Sequence, residues 1–335
     1  MATDTKGKNI LLLSPLQPCS GNTATILRIR NGLEKNGMKC KVVDSTGILN
    51  HQEFTDNHGN TTYHLIIAVH AYKSGRLLLG TDIPYVIILG GTDVNQLYNE
   101  EDKMTVMSQA VHKSKHIVAF SSSVMNQFIK CWPDYNSSNI SIIPQGVHVN
   151  PSSSFNLVQY LNEHNMLNQS FSSLHSNQIK NNDQIDLKEL KIFSIVGAIR
   201  SVKNPTYILE QFSDWRERRE LHNCWLLLLG SNFNDDYYTM FMETVERCPG
   251  VIYVPGLSSE HTHAVIKDSF SLINTSDSEG MALAILEEFI EKLDEVLENT
   301  DKVTTLIQNA RDYITTSHCV DKEEQDYVDI IRKYT

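Results

Sequence analysis

Short, almost continuously apolar runs recur along the chain, each followed by a stretch of helical period, and this alternation narrows the possible architectures to one class. A first series of runs falls at 9–13, 39–43, 65–69, 85–89, 117–120 and 140–143, with helical patterns at 23–35, 104–114 and 124–129 between them. A second series places strands at 191–196, 225–229, 251–254 and 270–275, alternating with helices at 204–219, 235–248 and 258–267. Strands that are apolar at nearly every position are covered on both faces, which is the condition of a parallel sheet flanked by helices. The chain is therefore expected to be α/β, with two doubly wound parallel sheets. Ligands of such sheets bind beyond the carboxyl ends of the strands, where residues 14–22, His70, 90–93 and 121–123 fall.

The length, 335 residues, exceeds what one core usually supports, about 250–300 residues. The expected division is a first domain over 1–150 and a polar Asn/Ser/Gln/His stretch over 151–188, read as a linker or mobile insertion. A second domain follows over 189–293, and C-terminal helices over 294–335. Lys plus Arg number 29 against 40 for Asp plus Glu, a net charge of −11, so broad attraction to nucleic acid or anionic lipid is not expected. The six cysteines (19, 40, 131, 224, 248, 319) form no C-x-x-C pair, which argues against a zinc ribbon or a redox motif and for reduced structural thiols. The apolar stretch at 10–13 is shorter than a signal-peptide core, and no run reaches the length of a membrane span, so a cytoplasmic protein is the expectation.

Chemistry concentrates in two blocks of the second half. In Ser278-Glu279-Gly280-Met281-Ala282-Leu283-Ala284-Ile285-Leu286-Glu287 a strand over 269–275 gives way to a turn and then a helix. The first N–H groups of that helix, at Gly280 and Met281, lack intrahelical partners and could cradle a phosphate. Glu287 lies about two turns on, about 12 Å by helix rise, a suitable reach for a ribose. The alternative is an ordinary amphipathic helix bearing two exposed acids. The other block, Leu190-Lys191-Ile192-Phe193-Ser194-Ile195-Val196-Gly197-Ala198-Ile199-Arg200-Ser201-Val202-Lys203-Asn204-Pro205, reads as strand, glycine turn, two cations and helix start. Arg200 and Lys203 would supply positive charge to a pyrophosphate, or they are a solvated basic pair at a turn.

Together these blocks resemble the nucleotide-binding half of the retaining family 4 glycosyltransferases, whose glycosyl transferases group 1 domain has the GT-B fold. Upstream, Gly90-Gly91-Thr92-Asp93-Val94-Asn95, then Val118-Ala119-Phe120-Ser121-Ser122-Ser123, then Ile142-Ile143-Pro144-Gln145-Gly146-Val147 resemble the acceptor half in the same order. The resemblance implies two Rossmann-like domains facing a cleft, and transfer of a sugar from a UDP-, GDP- or ADP-linked donor to an unknown acceptor. Configuration is retained, with neither metal nor cofactor. It implies donor contacts at Gly197, Gly280, Met281 and Glu287, charge stabilisation by Arg200 and Lys203, and a place for Glu279 facing the transferred sugar. Because Ala198 follows the glycine where the family has its arginine, Lys203 carries over more securely than Arg200.

On the acceptor side, His70 ends an apolar run and is either a structural histidine or an acceptor or transition-state contact. Gly21 and Asn22 open a helix at the cleft. Thr92 and Asp93 could bond acceptor hydroxyls, though a helix cap explains Asp93 almost as well. A single glycine near residue 21 leaves the dinucleotide fingerprint G-x-G-x-x-G absent, which sets a dehydrogenase aside. His261 and His263, two apart on a helix, face different ways and do not suggest a metal site. After Glu287 the family continues with Ala-Met-x-x-Gly-x-Pro-Val and two further strands, whereas this chain continues as an amphipathic helix with apolar positions at 282, 285, 286, 289, 290, 293, 296 and 297. The second domain is thus expected to be shortened and finished by C-terminal helices. Two alternatives remain beside transfer: a weak or inactive form binding a nucleotide or partner protein, and a related epimerase or phosphorylase.

Overall fold

The structure is a computed structural model and describes residues 5–17, 20–58, 62–147, 149–166, 189–232, 235–275, 297 and 300–335. It divides into two compact units, Met1–His148 with Gln308–Thr335, and Val149–Ile307.

The first unit runs β1 (Asn9–Ser14), α1 (Gly21–Lys35), β2 (Lys39–Asp44), α2 (His51–His58), β3 (Leu65–Val69), β4 (Tyr85–Ile88), α3 (Gly91–Asn95), α4 (Glu101–Lys113), β5 (His116–Ala119), α5 (Ser122–Cys131) and β6 (Ile140–Ile142). All pairings are parallel, in the order β2-β1-β3-β4-β5-β6. Alternate residues of one strand feed opposite cores. Leu11, Leu13, Ile66, Ala68 and Ile87 pack with Met107, Ala110, Val111 and Phe128. Ile10, Leu12, Ile67, Val86 and Ile88 pack on the other face with Ile26, Ile29 and Leu33 of α1. Both faces are covered, which is why these strands read as unbroken apolar runs.

The second unit contains α6 (Leu157–Glu163), β7 (Lys191–Val196), α7 (Leu209–Arg218), β8 (Cys224–Leu229), α8 (Asp235–Arg247), β9 (Val251–Val254), α9 (Ser259–Asp268) and β10 (Ser271–Leu272). Its described sheet is parallel, in the order β10-β7-β8-β9. Again the strands split their side chains. Phe193, Ile195, Leu226 and Leu228 meet Phe212, Trp215 and Phe241, while Ile192, Trp225, Leu227 and Ile252 meet Leu157, Leu161 and Val265.

Several expectations are revised. Residues 157–163, read as part of a linker, form α6 and bury Leu157 and Leu161 in the second core. The helix expected over 204–219 begins as a 3-10 turn at Pro205–Ile208, because Asn204 at φ 40 sits in the left-handed region and a proline follows. The strand expected over 270–275 is ordered only at Ser271–Leu272, with one neighbouring strand among the described residues. Leu272 is 56% exposed and Phe270 40%, so among the described residues this run lies at the sheet edge and is not fully buried. The C-terminal helices, α10 (Thr300–Ser317) and α11 (Val320–Tyr334), do not both finish the second domain. Tyr327, Val328, Ile330 and Ile331 of α11 complete the core of the first unit beneath α1. Among the described residues no helix is long and apolar enough to cross a membrane.

Candidate functional site

Each sheet has one place where the strand order reverses, and such a switch point opens a crevice at the carboxyl ends. In the second unit β8 lies on one side of β7 and β10 on the other. At that point a cavity of ≈ 210 Å³ is lined by Gly197 and Ala198 from the end of β7, Lys203 and Pro205 from the next turn, and Asn274 and Thr275 after β10.

The local sequence explains the shape. Gly197 N–H donates to the Leu229 carbonyl at 2.9 Å and continues the ladder past β7. A Cβ added at Gly197 would meet nothing within 4 Å. The space above it is open, so the glycine lets another molecule approach the backbone. Gly230, not anticipated from the sequence, is the reverse case, since a Cβ there would lie 1.7 Å from the Gly197 carbonyl oxygen. Thr275 is buried and its hydroxyl donates to the Lys203 carbonyl at 2.9 Å, tying the end of β10 to the basic turn.

Lys203 is half-buried and lines the cavity. Arg200 is exposed, stands at the start of the turn Ser201–Lys203, and is not among the described lining residues. Sequence reasoning paired these cations, but the structure brings only Lys203 to the cavity wall. Glu279, Gly280, Met281 and Glu287 lie outside the described residues.

In the first unit the reversal falls between β1 and β3, with β2 on the far side of β1. Gly21 and Asn22 begin α1 there, with Ser20 accepting the Thr23 N–H at 3.2 Å as N-cap. A Cβ at Gly21 would also meet open space. His70 follows β3 with a φ of 80, a backbone conformation unusual for any residue but glycine. Its ring is buried, with Nδ1 at 2.6 Å from Asp93 Oδ1 and Nε2 at 3.1 Å from the Thr92 hydroxyl. Asp93, expected among acceptor contacts, is fully buried and faces inward. Its Oδ2 accepts N–H groups of Ala71 (2.8 Å) and Gly90 (2.9 Å), so it caps α3 and braces His70. Thr92 is exposed and its hydroxyl stands outermost in this chain of contacts.

Asp44, at the end of β2 where a dinucleotide fold keeps its ribose carboxylate, is spent locally. It accepts the Leu16 and Thr46 N–H groups, each at 2.9 Å, and the Thr46 hydroxyl at 2.7 Å. Partial burial opposes ionisation, but these hydrogen bonds outweigh it and hold the carboxyl below its ordinary value. Burial pushes the Cys40 thiol up to about 12 and Cys248 up to about 11 and raises Cys131 and Cys224, so these four remain protonated and poor nucleophiles at neutral pH. His263 accepts the Asn150 N–H at 3.1 Å, while His261 stacks on Phe155. Among the described residues no group of three or more His, Cys, Asp or Glu could hold a metal ion.

No protein-family model matches the chain. Over 355 residues it is 26% identical to glycosyltransferase 1 domain-containing protein 1 of Xenopus tropicalis, covering 96% of this chain and 97% of that protein. Among solved structures it is similar to Anabaena Alr3699/HepE in complex with UDP and glucose, with a TM-score of 0.69 and 12% identity, over 97% of this chain and 100% of that one. It is also similar to WaaG, a glycosyltransferase involved in lipopolysaccharide biosynthesis, with a TM-score of 0.64 and 14% identity, over 96% of this chain and 99% of that one. The fold is therefore the GT-B type, with two Rossmann-like parallel-sheet domains.

Proposed function

We propose that the chain is a glycosyltransferase that takes a nucleotide-linked sugar. The observation that carries this reading is the cavity at the β7/β10 reversal, where Gly197 leaves the backbone open and Lys203 forms part of the wall. A nucleoside diphosphate suits it, because backbone can approach the phosphates at the glycine and an ammonium offsets charge that builds on the leaving group. The Xenopus relative's name and the UDP in the Anabaena structure agree with that ligand class.

The finer parts of the reading rest on sequence. Transfer proceeds with retention and without a metal, as in the family 4 glycosyltransferases, the departing diphosphate assisting attack on the same face of the sugar. Lys203 is the principal cation and Arg200 an outer one. Glu279 and Glu287 serve the sugar and the ribose, and Gly280 and Met281 the phosphates. In the first unit His70 meets a sugar hydroxyl, with Gly21, Asn22 and Thr92 around it, and the acceptor is unassigned. Charge and hydropathy favour a cytoplasmic protein without nucleic-acid partners. A weak or inactive nucleotide-binding form is the second reading, favoured by the two-residue length and exposed edge of β10.

Calorimetric titration with UDP, GDP and ADP tests the site. One nucleotide is expected to bind and to lose about tenfold or more in affinity on Lys203→Ala, the scale of a charge-assisted contact. Absence of binding by the folded chain, or unchanged affinity in the variant, overturns the reading. UDP-glucose consumption then separates transfer from the binding-only form.

A further inference from the structure

We propose that Asp93 is a positioning residue for His70, holding the neutral imidazole in its Nδ1–H tautomer so that the Nε2 lone pair is offered to a hydroxyl at the end of β3. The proposal rests on the glycosyltransferase reading only for the identity of that hydroxyl's eventual replacement, a sugar hydroxyl in place of Thr92's.

The geometry supplies the argument. His70 sits at φ 80, a placement that is strained for an L-residue and persists only where its surroundings over-determine it. Its N–H is bound to the Ile88 carbonyl at 2.9 Å, and its own carbonyl accepts the Ser74 N–H at 3.2 Å. The side chain is fixed in turn by Asp93. Among the described residues the other hydrogen-bond partners of that carboxylate are backbone N–H donors: Ala71 and Gly90 on Oδ2, and Tyr72 on Oδ1 at 3.4 Å. A carboxylate surrounded in this way can meet Nδ1 at 2.6 Å only if Nδ1 carries a proton, because two lone pairs at that distance repel. The Lys73 N–H, 3.3 Å from Nδ1, pulls toward the opposite assignment, but it is the longer and uncharged contact, and the carboxylate prevails. In the neutral ring Nε2 is then an acceptor, and the exposed Thr92 hydroxyl at 3.1 Å is its donor. Thr92 can rotate away and yield that position, whereas Asp93, fully buried, cannot.

Asp93→Asn separates positioning from simple packing. Ala71 and Gly90 N–H groups require an oxygen, so the carboxamide turns its oxygen toward them and its NH2 toward Nδ1. That arrangement forces the proton to Nε2, as the corresponding Asp→Asn change does in serine proteases.

The test is long-range ¹H–¹⁵N correlation spectroscopy on the full chain with ¹⁵N-labelled histidine, at a pH where the ring is neutral. The wild type is expected to give a protonated-type Nδ1 and an unprotonated-type Nε2 for His70. Thr92→Val, a surface change that does not threaten folding, moves only the Nε2 signal and identifies the residue. Asp93→Asn inverts the pattern. A wild-type ring protonated at Nε2, an Nε2 signal indifferent to Thr92→Val, or an Asp93→Asn tautomer unchanged from wild type each overturns the proposal. No substrate is used, so failure of the nucleotide-binding experiment leaves this result standing on its own.

Discussion

The Thr275 hydroxyl donates to the Lys203 carbonyl at 2.9 Å and thereby joins the short edge strand β10 to the turn that carries the cavity's ammonium. Thr275→Val keeps the shape and removes the donor. The variant is expected to lose about 0.5–1.5 kcal/mol, the scale of one hydrogen bond, and to bind nucleotide more weakly because the turn is no longer held. Chemical denaturation and calorimetry read the two effects separately.

Gly197 and Gly230 face each other as a pair with opposite requirements. A Cβ at Gly230 would lie 1.7 Å from the Gly197 carbonyl oxygen, and this neighbour is backbone. Gly230→Ala is expected to destabilise at the upper end of the about 1–3 kcal/mol typical of overpacking, measured as a lower urea midpoint. Gly197→Ala meets open space and should leave the stability within about 0.5 kcal/mol of wild type. It should nonetheless weaken nucleotide binding, because the methyl occupies the approach to the backbone.

How much of this was legible in the sequence follows from the range of the forces involved. Strand positions were readable because burial on two faces leaves a local mark, as in Leu65–Val69 and Cys224–Leu229. The two-residue length of β10 was not, since Phe270 to Ile273 reads as one apolar run, although the departure from the family pattern after Glu287 pointed to a sheet edge there. The destination of α11 was also hidden. It was expected only as one of the helices that finish the second domain, and the fold shows instead that its buried face completes the first unit. At the site, Lys203 and Gly197 stood in a recognisable strand-turn block. Gly230 carried a weak signal, a glycine directly after the run ending at Leu229, that mirrors Gly197 after β7. Asp93 was read as a ligand contact or a cap, and its inward turn depends on His70, which lies 23 residues earlier and on a different strand end.

Beside its apolar core contacts, α11 is held to α1 by an ion pair between Arg28 and the buried Glu323. Arg28 Nε and Nη2 reach Glu323 Oε2 and Oε1 at 2.7 and 3.0 Å, and Gln145 accepts from the same guanidinium at 3.2 Å. Close approach requires Gly32 and Gly146, whose added Cβ atoms would fall 2.6 Å from Glu324 Cγ and 2.7 Å from Glu323 Oε2. Arg28→Ala strands the buried Glu323 carboxylate and is expected to cost up to about 3–5 kcal/mol, and Glu323→Ala less, because Arg28 is 19% exposed and can reach water. Replacing both should recover part of that loss in a double-mutant cycle by chemical denaturation.

His116 gives the first unit a directional dependence on pH. Burial, aided by the Lys333 charge, lowers its pKa from 6.5 to about 4. The neutral ring is held between the Ser141 hydroxyl on Nε2 at 2.8 Å and the Tyr334 hydroxyl on Nδ1 at 3.1 Å. The unfolded chain takes up a proton below 6.5 while the folded one resists until about 4. Stability from this residue is therefore complete above 6.5 and is lost progressively as pH falls toward 4. His116→Gln can keep a hydrogen bond without titrating, so its stability should fall less than that of wild type across this window. Urea denaturation of both proteins at a series of pH values checks the difference, and parallel curves would show that the neutral ring contributes nothing to the acid response.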